Sequence, residues 1–83
     1  MTVEFFTSPD CAFCVPVREC LEEMSSEFDG KISIKTIDTE KHPNIASKKN
    51  IRILPSIIAN GKKLMGVYDR EEVEEFVISA YML

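Results

Sequence analysis

The chain has 83 residues, 45% of them apolar and 29% charged, with ten Lys and Arg against fourteen Asp and Glu and a net charge of −4 when His42 is neutral. This composition excludes a disordered segment, and the length supports one core that buries roughly 60% of the unfolded surface, so a single domain over residues 1–83 is expected. The acidic balance argues against a nucleic-acid or anionic-membrane partner, and no apolar run approaches the roughly 20 residues of a membrane span.

Val3-Glu4-Phe5-Phe6 is a short apolar run stopped by Thr7-Ser8-Pro9-Asp10, which reads as a strand buried on both faces. Cys11-Ala12-Phe13-Cys14 follows. From Phe13 the apolar residues Val17, Cys20, Leu21, Met24 and Phe28 recur at helical spacing, with Arg18, Glu19, Glu22, Glu23 and Ser26 on the other face. Asp29-Gly30 ends that helix, with Gly30 suited to a left-handed C′ position. Ile32 to Ile37 alternates and reads as a second strand. His42-Pro43 opens a short helix with Pro43 in its first turn and Ile45 and Ala46 facing inward. Ile51 to Leu54 leads into Pro55, and Ser56 to Ala59 forms a third strand. Asn60-Gly61 has the composition of a type I′ hairpin turn, so Lys63 to Val67 returns as a fourth strand. Asp69 stands three residues before Glu72, the spacing of a capping box. Val73, Phe76, Val77, Ala80 and Tyr81 then fall on one face of a terminal helix. The order β-α-β-α-β-β-α describes an α/β fold with a four-stranded mixed sheet flanked by helices, begun by a right-handed βαβ unit.

Met1-Thr2-Val3-Glu4 lacks the basic and long apolar segments of a signal peptide, which leads us to expect a cytoplasmic protein or a segment cut from a precursor. In a reducing compartment three cysteines, an odd number, argue against a permanent disulfide framework. Two small basic clusters, Lys48-Lys49 with Arg52 and Lys62-Lys63, read most simply as solvated surface.

Cys11 and Cys14 are the chemically informative pair. They lie where a strand's loop meets a helix, and the positive end of a helix stabilises an anion. A thiolate at Cys11 gains from this, and the thiolate is the species that attacks a disulfide. Cys14, one turn on, can resolve a mixed disulfide within the same molecule. Asp10 opposes thiolate formation if its side chain is close, and contributes little if it caps the helix and points away. Two cysteines at this spacing also occur as half of a zinc site, but zinc commonly takes four ligands. The remaining candidates are poor. Cys20 lies nine residues after Cys11, roughly 900° along a helix and so on the opposite face, where it reads as a small buried hydrophobe. His42 lies in a polar loop and reads as exposed.

The chain resembles the thioredoxin/glutaredoxin superfamily through Phe5-Phe6-Thr7-Ser8-Pro9-Asp10-Cys11-Ala12-Phe13-Cys14, Leu54-Pro55-Ser56, and Gly66 ahead of the last helix. It is most similar to the compact, glutaredoxin-sized thioredoxins of archaea and bacteria. The resemblance covers essentially the whole chain and implies a thioredoxin-like fold. It implies that Cys11 is the attacking nucleophile and Cys14 the resolving cysteine. It also implies that Pro55 follows a cis peptide bond opposite them, with Leu54 offering its backbone to a substrate strand. The substrate surface implied is shallow and apolar, near Ala12, Phe13, Leu54, Pro55 and Gly66; Phe13 is equally plausible as core.

Three departures accompany the resemblance. Many thioredoxins carry Trp-Cys-Gly-Pro-Cys, and this chain has no Trp. They also carry a buried acid where Phe5 stands, which leaves water or Glu4 to exchange the proton of Cys14. Pro16 removes one early helix hydrogen bond and is expected to bend the first turn. Against glutaredoxins, Arg18 stands one turn beyond Cys14 as the basic residue, and Gly66-Val67-Tyr68-Asp69 matches the Gly-Gly-x-Asp segment only in part. Asp69 there also reads as a plain helix cap.

The function these features imply is a thiol-disulfide oxidoreductase that reduces protein disulfides. It needs no cofactor beyond its own cysteines, acts as a monomer, and is recharged by a flavoprotein of the thioredoxin reductase kind or by a small thiol. Three alternatives are a glutaredoxin using glutathione as co-substrate, a binding module holding zinc or a cluster on Cys11 and Cys14, and a structural disulfide module.

Overall fold

The computed structural model describes residues 1–66 and 69–83. The elements follow in the expected order: β1 (Thr2–Thr7), α1 (Cys14–Glu27), β2 (Ser33–Asp38), α2 (Pro43–Lys48), β3 (Ser56–Ala59), β4 (Lys62–Met65) and α3 (Arg70–Tyr81). They form a four-stranded mixed sheet in the order β2-β1-β3-β4. β1 runs parallel to β2 and antiparallel to β3, and β3 pairs antiparallel with β4.

Local chemistry accounts for most boundaries. Asn60 and Gly61 take φ of 50° and 80°, the two left-handed positions that a type I′ turn requires and that glycine adopts without strain. β4 begins one residue earlier than expected, at Lys62, because this tight turn closes at once. The expected extension of β4 to Val67 falls outside the described residues. β2 is shifted by one, to Ser33–Asp38, although Ile32 is fully buried just ahead of it. Pro43 is the first residue of α2, where no helical N–H is lost. At the end of α1, Phe28 is the C-cap and Asp29 takes the left-handed position first, at φ 50°, followed by Gly30 at 80°. The C′ residue is therefore Asp29 and not Gly30; a short polar side chain tolerates that conformation. Asp69 caps α3 as expected, its carboxylate accepting from the Glu71 N–H at 2.8 Å.

Strand alternation divides the interior. Val3 and Phe5 of β1, with Ile57 and Ala59 of β3, face α1 and α3 and join Cys14, Val17, Cys20, Leu21, Met24, Val73, Val77 and Ala80 in one core. Phe76 and Tyr81, expected on the same inward face, are only half-buried and at the edge of exposure. Glu4 and Phe6 point to the α2 face, where Phe6 and its register partner Ile37 are buried with Ala46. β1 is thus covered on both sides, as its apolar run implied. The α2 face is less complete: Glu4 is half-buried and bound to Lys49 at 2.8 Å.

Two stability predictions follow from this packing. Phe5→Ala removes a fully buried ring from the central strand and should cost about 3–5 kcal/mol in denaturant unfolding. Asp69→Ala should cost about 1 kcal/mol, a fall in melting temperature of roughly 4–8 °C for a domain of this size.

Candidate active site

The site is assembled at one end of the sheet by register. Phe6, near the end of β1, pairs with Ser56 at the start of β3, and Ser56 pairs with Met65 at the end of β4. The loop carrying Cys11, the Ile53-Leu54-Pro55 approach to β3 and Gly66 after β4 therefore emerge side by side. The Gly66 N–H donates to the Pro55 carbonyl at 2.8 Å, and the Ser56 hydroxyl donates to the Ile53 carbonyl. Leu54-Pro55 is a cis peptide bond, as the resemblance implied.

Cys11 and Cys14 are joined by a disulfide, their Cα atoms 5.3 Å apart. Cys14 is the first residue of α1, and Phe13 is its N-cap with no side-chain capping bond. Asp10 therefore does not cap the helix; it is exposed in the loop before it. The loop is tied by backbone bonds: the Cys11 N–H to the Ser8 carbonyl and the Cys14 N–H to the Cys11 carbonyl, both 3.2 Å, and the Val15 N–H to the Ala12 carbonyl at 3.4 Å. Pro16 comes next and has no N–H to offer. It falls in the first turn, where an α-helix has no intrahelical partner for that donor, so the expected loss of a helix hydrogen bond does not occur. The positive end of α1 reaches the Cys11 turn through aligned peptide dipoles, since the first N–H groups are already engaged with the loop.

The two sulfurs differ in access. Cys14 is fully buried against the core, whereas Cys11 is half-buried at the surface. Around Cys11 the rim is apolar. Ala12 and Phe13 are exposed, Phe13 at 59%, so Phe13 is not core. Leu54 and Gly66 are half-buried, and Pro55 is buried. Gly66 takes φ 69°, and a Cβ there would stand 3.2 Å from Ile53 Cγ2, so glycine keeps this edge of the rim low. Sequence reading missed three members of this end: Val15, Ile53 and Met65, exposed at 47%, 50% and 44%. Met65 lay hidden in a strand pattern, and only its register with Ser56 brings it here.

Other expectations separate from the site. Glu4, a candidate proton acceptor for Cys14, projects from the opposite face of β1 and pairs with Lys49, so it is not that acceptor. Phe5 occupies the place of a buried acid, and the Arg18 guanidinium lies over its ring, 5.8 Å from the centroid. Asp69 is engaged as the cap of α3. Of the segment compared with glutaredoxins, Val67 and Tyr68 lie outside the described residues. Cys20 is fully buried between α1 and α3, with its sulfur 4.0 Å from the Arg70 carbonyl, and burial pushes its thiol pKa up. His42 is exposed at the start of α2. Among the described residues no three His, Cys, Asp or Glu side chains converge as metal ligands would.

Comparison with known proteins agrees with this geometry. The thioredoxin family model matches residues 1–80. A probable thioredoxin of Methanothermobacter thermautotrophicus is 32% identical over 78 residues, which cover 93% of this chain and 92% of that protein. The thioredoxin of Methanocaldococcus jannaschii is 28% identical over 76 residues, covering 90% and 89%. In three dimensions, thioredoxin 1 of Thermosipho africanus superposes with a TM-score of 0.80 at 22% identity, covering 99% of this chain and 94% of that one, a likeness of fold. A cysteine pair closed into a disulfide within the protein supplies the redox group that such exchange uses, with no separate cofactor. The chain belongs to the thioredoxin family and is a thiol-disulfide oxidoreductase.

Proposed function

We propose that Cys11 is the attacking thiolate and Cys14 the resolving thiol in a cycle that reduces disulfides of protein substrates. In the reduced protein the Cys11 thiolate attacks one sulfur of the substrate disulfide. That S–S bond breaks, a Cys11–substrate disulfide forms, and the displaced substrate thiolate takes a proton from water. Cys14 then loses its proton to water and attacks the Cys11 sulfur. The mixed disulfide breaks, the second substrate thiolate leaves and is protonated, and Cys11–Cys14 closes. Two electrons have passed to the substrate. They are restored by a flavoprotein of the thioredoxin reductase kind or by a small thiol.

The observation that carries this assignment is the difference in access: the sulfur of Cys11 stands at an apolar rim, while Cys14 is fully buried behind it. An incoming disulfide meets Cys11 first, and Cys14 is reserved for the intramolecular step. The substrate segment lies over Ala12, Phe13, Leu54, Pro55 and Gly66. Arg18 and Asp69, the groups a glutathione carboxylate and amine would need, are engaged with Phe5 and with the N-terminus of α3. The protein works as a single-domain monomer in the cytoplasm. Among the described residues no helix is long and apolar enough to cross a membrane.

The test is insulin-disulfide reduction by purified variants. Cys11→Ser should abolish turnover. Cys14→Ser should accumulate a mixed disulfide through Cys11, visible by mass spectrometry, and Cys20→Ser should keep wild-type activity. Loss of activity in Cys20→Ser with retention in Cys14→Ser would overturn the assignment.

A second measurement concerns thiol reactivity. Iodoacetamide at neutral pH should label Cys11 of the reduced, folded protein first. Cys20, buried and with its pKa raised, should react only on denaturation, because the thiolate is disfavoured there.

A further inference from the structure

The two basic clusters of the sequence are rearranged by the fold. Lys62 and Lys63 are adjacent in β4, so their side chains leave opposite faces of the sheet. Lys62 pairs with Ala59 and lies on the α1/α3 side, lining a shallow depression with Glu72 and Glu75. Lys63 pairs with Ile58, which pairs with Glu4, and so lies on the α2 side. There its ammonium donates to the Lys49 carbonyl, across 14 residues of sequence. Lys49 in turn holds Glu4 at 2.8 Å, and Lys35 is the register partner of Glu4 on β2. Among the described residues, Lys48, Arg52 and Lys63 make no ion pair. Arg52 is exposed and lines a depression with Thr39, Pro43, Ala46 and Ser47 of the α2 side, and the chain runs from it through Ile53 and Leu54 to Pro55.

The charge of the whole chain is divided in the same way. Residues 41–66 carry six Lys and Arg and no Asp or Glu, while the remainder carries four basic and fourteen acidic residues. α1 and α3 each contain four glutamates. The one arginine of α3, Arg70, is bound to Glu23 and Glu74. The α1/α3 side is thus acidic, and the α2 side carries a basic excess in which Glu4 is held by Lys49 and Glu40 stands in the loop before α2; the segment that follows α2 leads to Pro55 at the reactive pair.

We infer that the α2 face, from Lys49 and Lys63 to Arg52, is a docking surface for an acidic segment flanking the target disulfide of a protein substrate. This rests on the redox reading above, which supplies the reacting group at its border. An acidic partner is repelled by the net charge of −4 unless this face leads, so the field both attracts and orients it. The effect is confined to roughly 8–10 Å at physiological salt, which makes adjacency to the site decisive. A nucleic acid carries no disulfide and would meet the acidic side as it wrapped the molecule, so a protein segment is the occupant the charge pattern favours.

The experiment uses pre-reduced protein and disulfide-bonded peptides identical except for glutamate, serine or lysine flanks. Each rate is divided by that with dithiothreitol, which removes intrinsic differences in disulfide reactivity. At low ionic strength the glutamate-flanked peptide should react about tenfold faster than the lysine-flanked one, and the ratio should approach one at about 0.5 M salt. An Arg52→Glu/Lys63→Glu double variant should abolish or invert the ratio while reducing the serine-flanked peptide at the wild-type rate. Lys62→Glu reverses a charge on the other side and should leave the ratio within about twofold of wild type.

Equal rates with glutamate and lysine flanks at low salt, with the serine-flanked peptide reduced normally, would overturn the docking surface and leave the redox reading standing. An equal loss of preference in Lys62→Glu would also overturn it. Competition by a short oligonucleotide as effective as that of the glutamate-flanked peptide would overturn the assignment to a protein segment. No reduction of the serine-flanked peptide would overturn both readings.

Discussion

The pairing of Phe6 with Ser56 governs what this molecule can do. β1 is hydrogen-bonded on both sides, parallel to β2 and antiparallel to β3, so its end is fixed within the sheet. Register then decides which loops meet. With Phe6 opposite Ser56, the Cys11 loop lies beside Pro55, and the hydrogen bond between Gly66 and Pro55 brings the end of β4 to the same place. A slip of one residue would turn Phe5 out of the core and move Pro55 away from the cysteines. The burial of Phe5 on one face and Phe6 on the other pins this register from both sides.

The chemistry follows from a strand end meeting a helix start. Cys14 opens α1 and is carried straight into the core, while Cys11 stays in the turn outside it. One backbone junction thus produces two sulfurs of different access without any further residue. The place of a buried acid behind the pair is taken by Phe5, covered by Arg18. Glu4 is committed to Lys49 on the far face of β1, away from the Cys14 side. The surroundings of the buried Cys14 are apolar: it packs in one cluster with Val3, Phe5, Val17 and Ile57.

Features set by local sequence could be read directly. The helical spacing of Val17, Leu21 and Met24, the Asn60-Gly61 turn, the Asp69 cap and the order of the elements all depend on neighbours within a few residues. The pair Cys11–Cys14 was readable for the same reason. Features set by pairing were not. Met65 and Ile53 join the rim only through register, and the separation of Lys62 from Lys63 requires knowing which face of β4 is covered. Glu4 could be assigned to the wrong side because an apolar run such as Val3-Glu4-Phe5-Phe6 does not say which face meets which helix. Pro16 was misjudged because its cost depends on whether α1 begins at Cys14 or a turn earlier. The cis bond at Pro55 came from resemblance, since nothing local distinguishes it.

The outermost strands have a consequence of their own. β2 and β4 each leave one row of peptide groups unpaired, and such rows invite a strand from another molecule. Unblocked, these rows would let copies of the chain add to one another along the sides of the sheet. Lys35 stands on one flank, and Lys62 and Lys63 on the other, all exposed, with the Lys63 ammonium donating to the Lys49 carbonyl. Their charge opposes stacking of copies side by side, so Lys35 and Lys63, which share in the basic excess of the α2 side, also guard the flanks of the sheet.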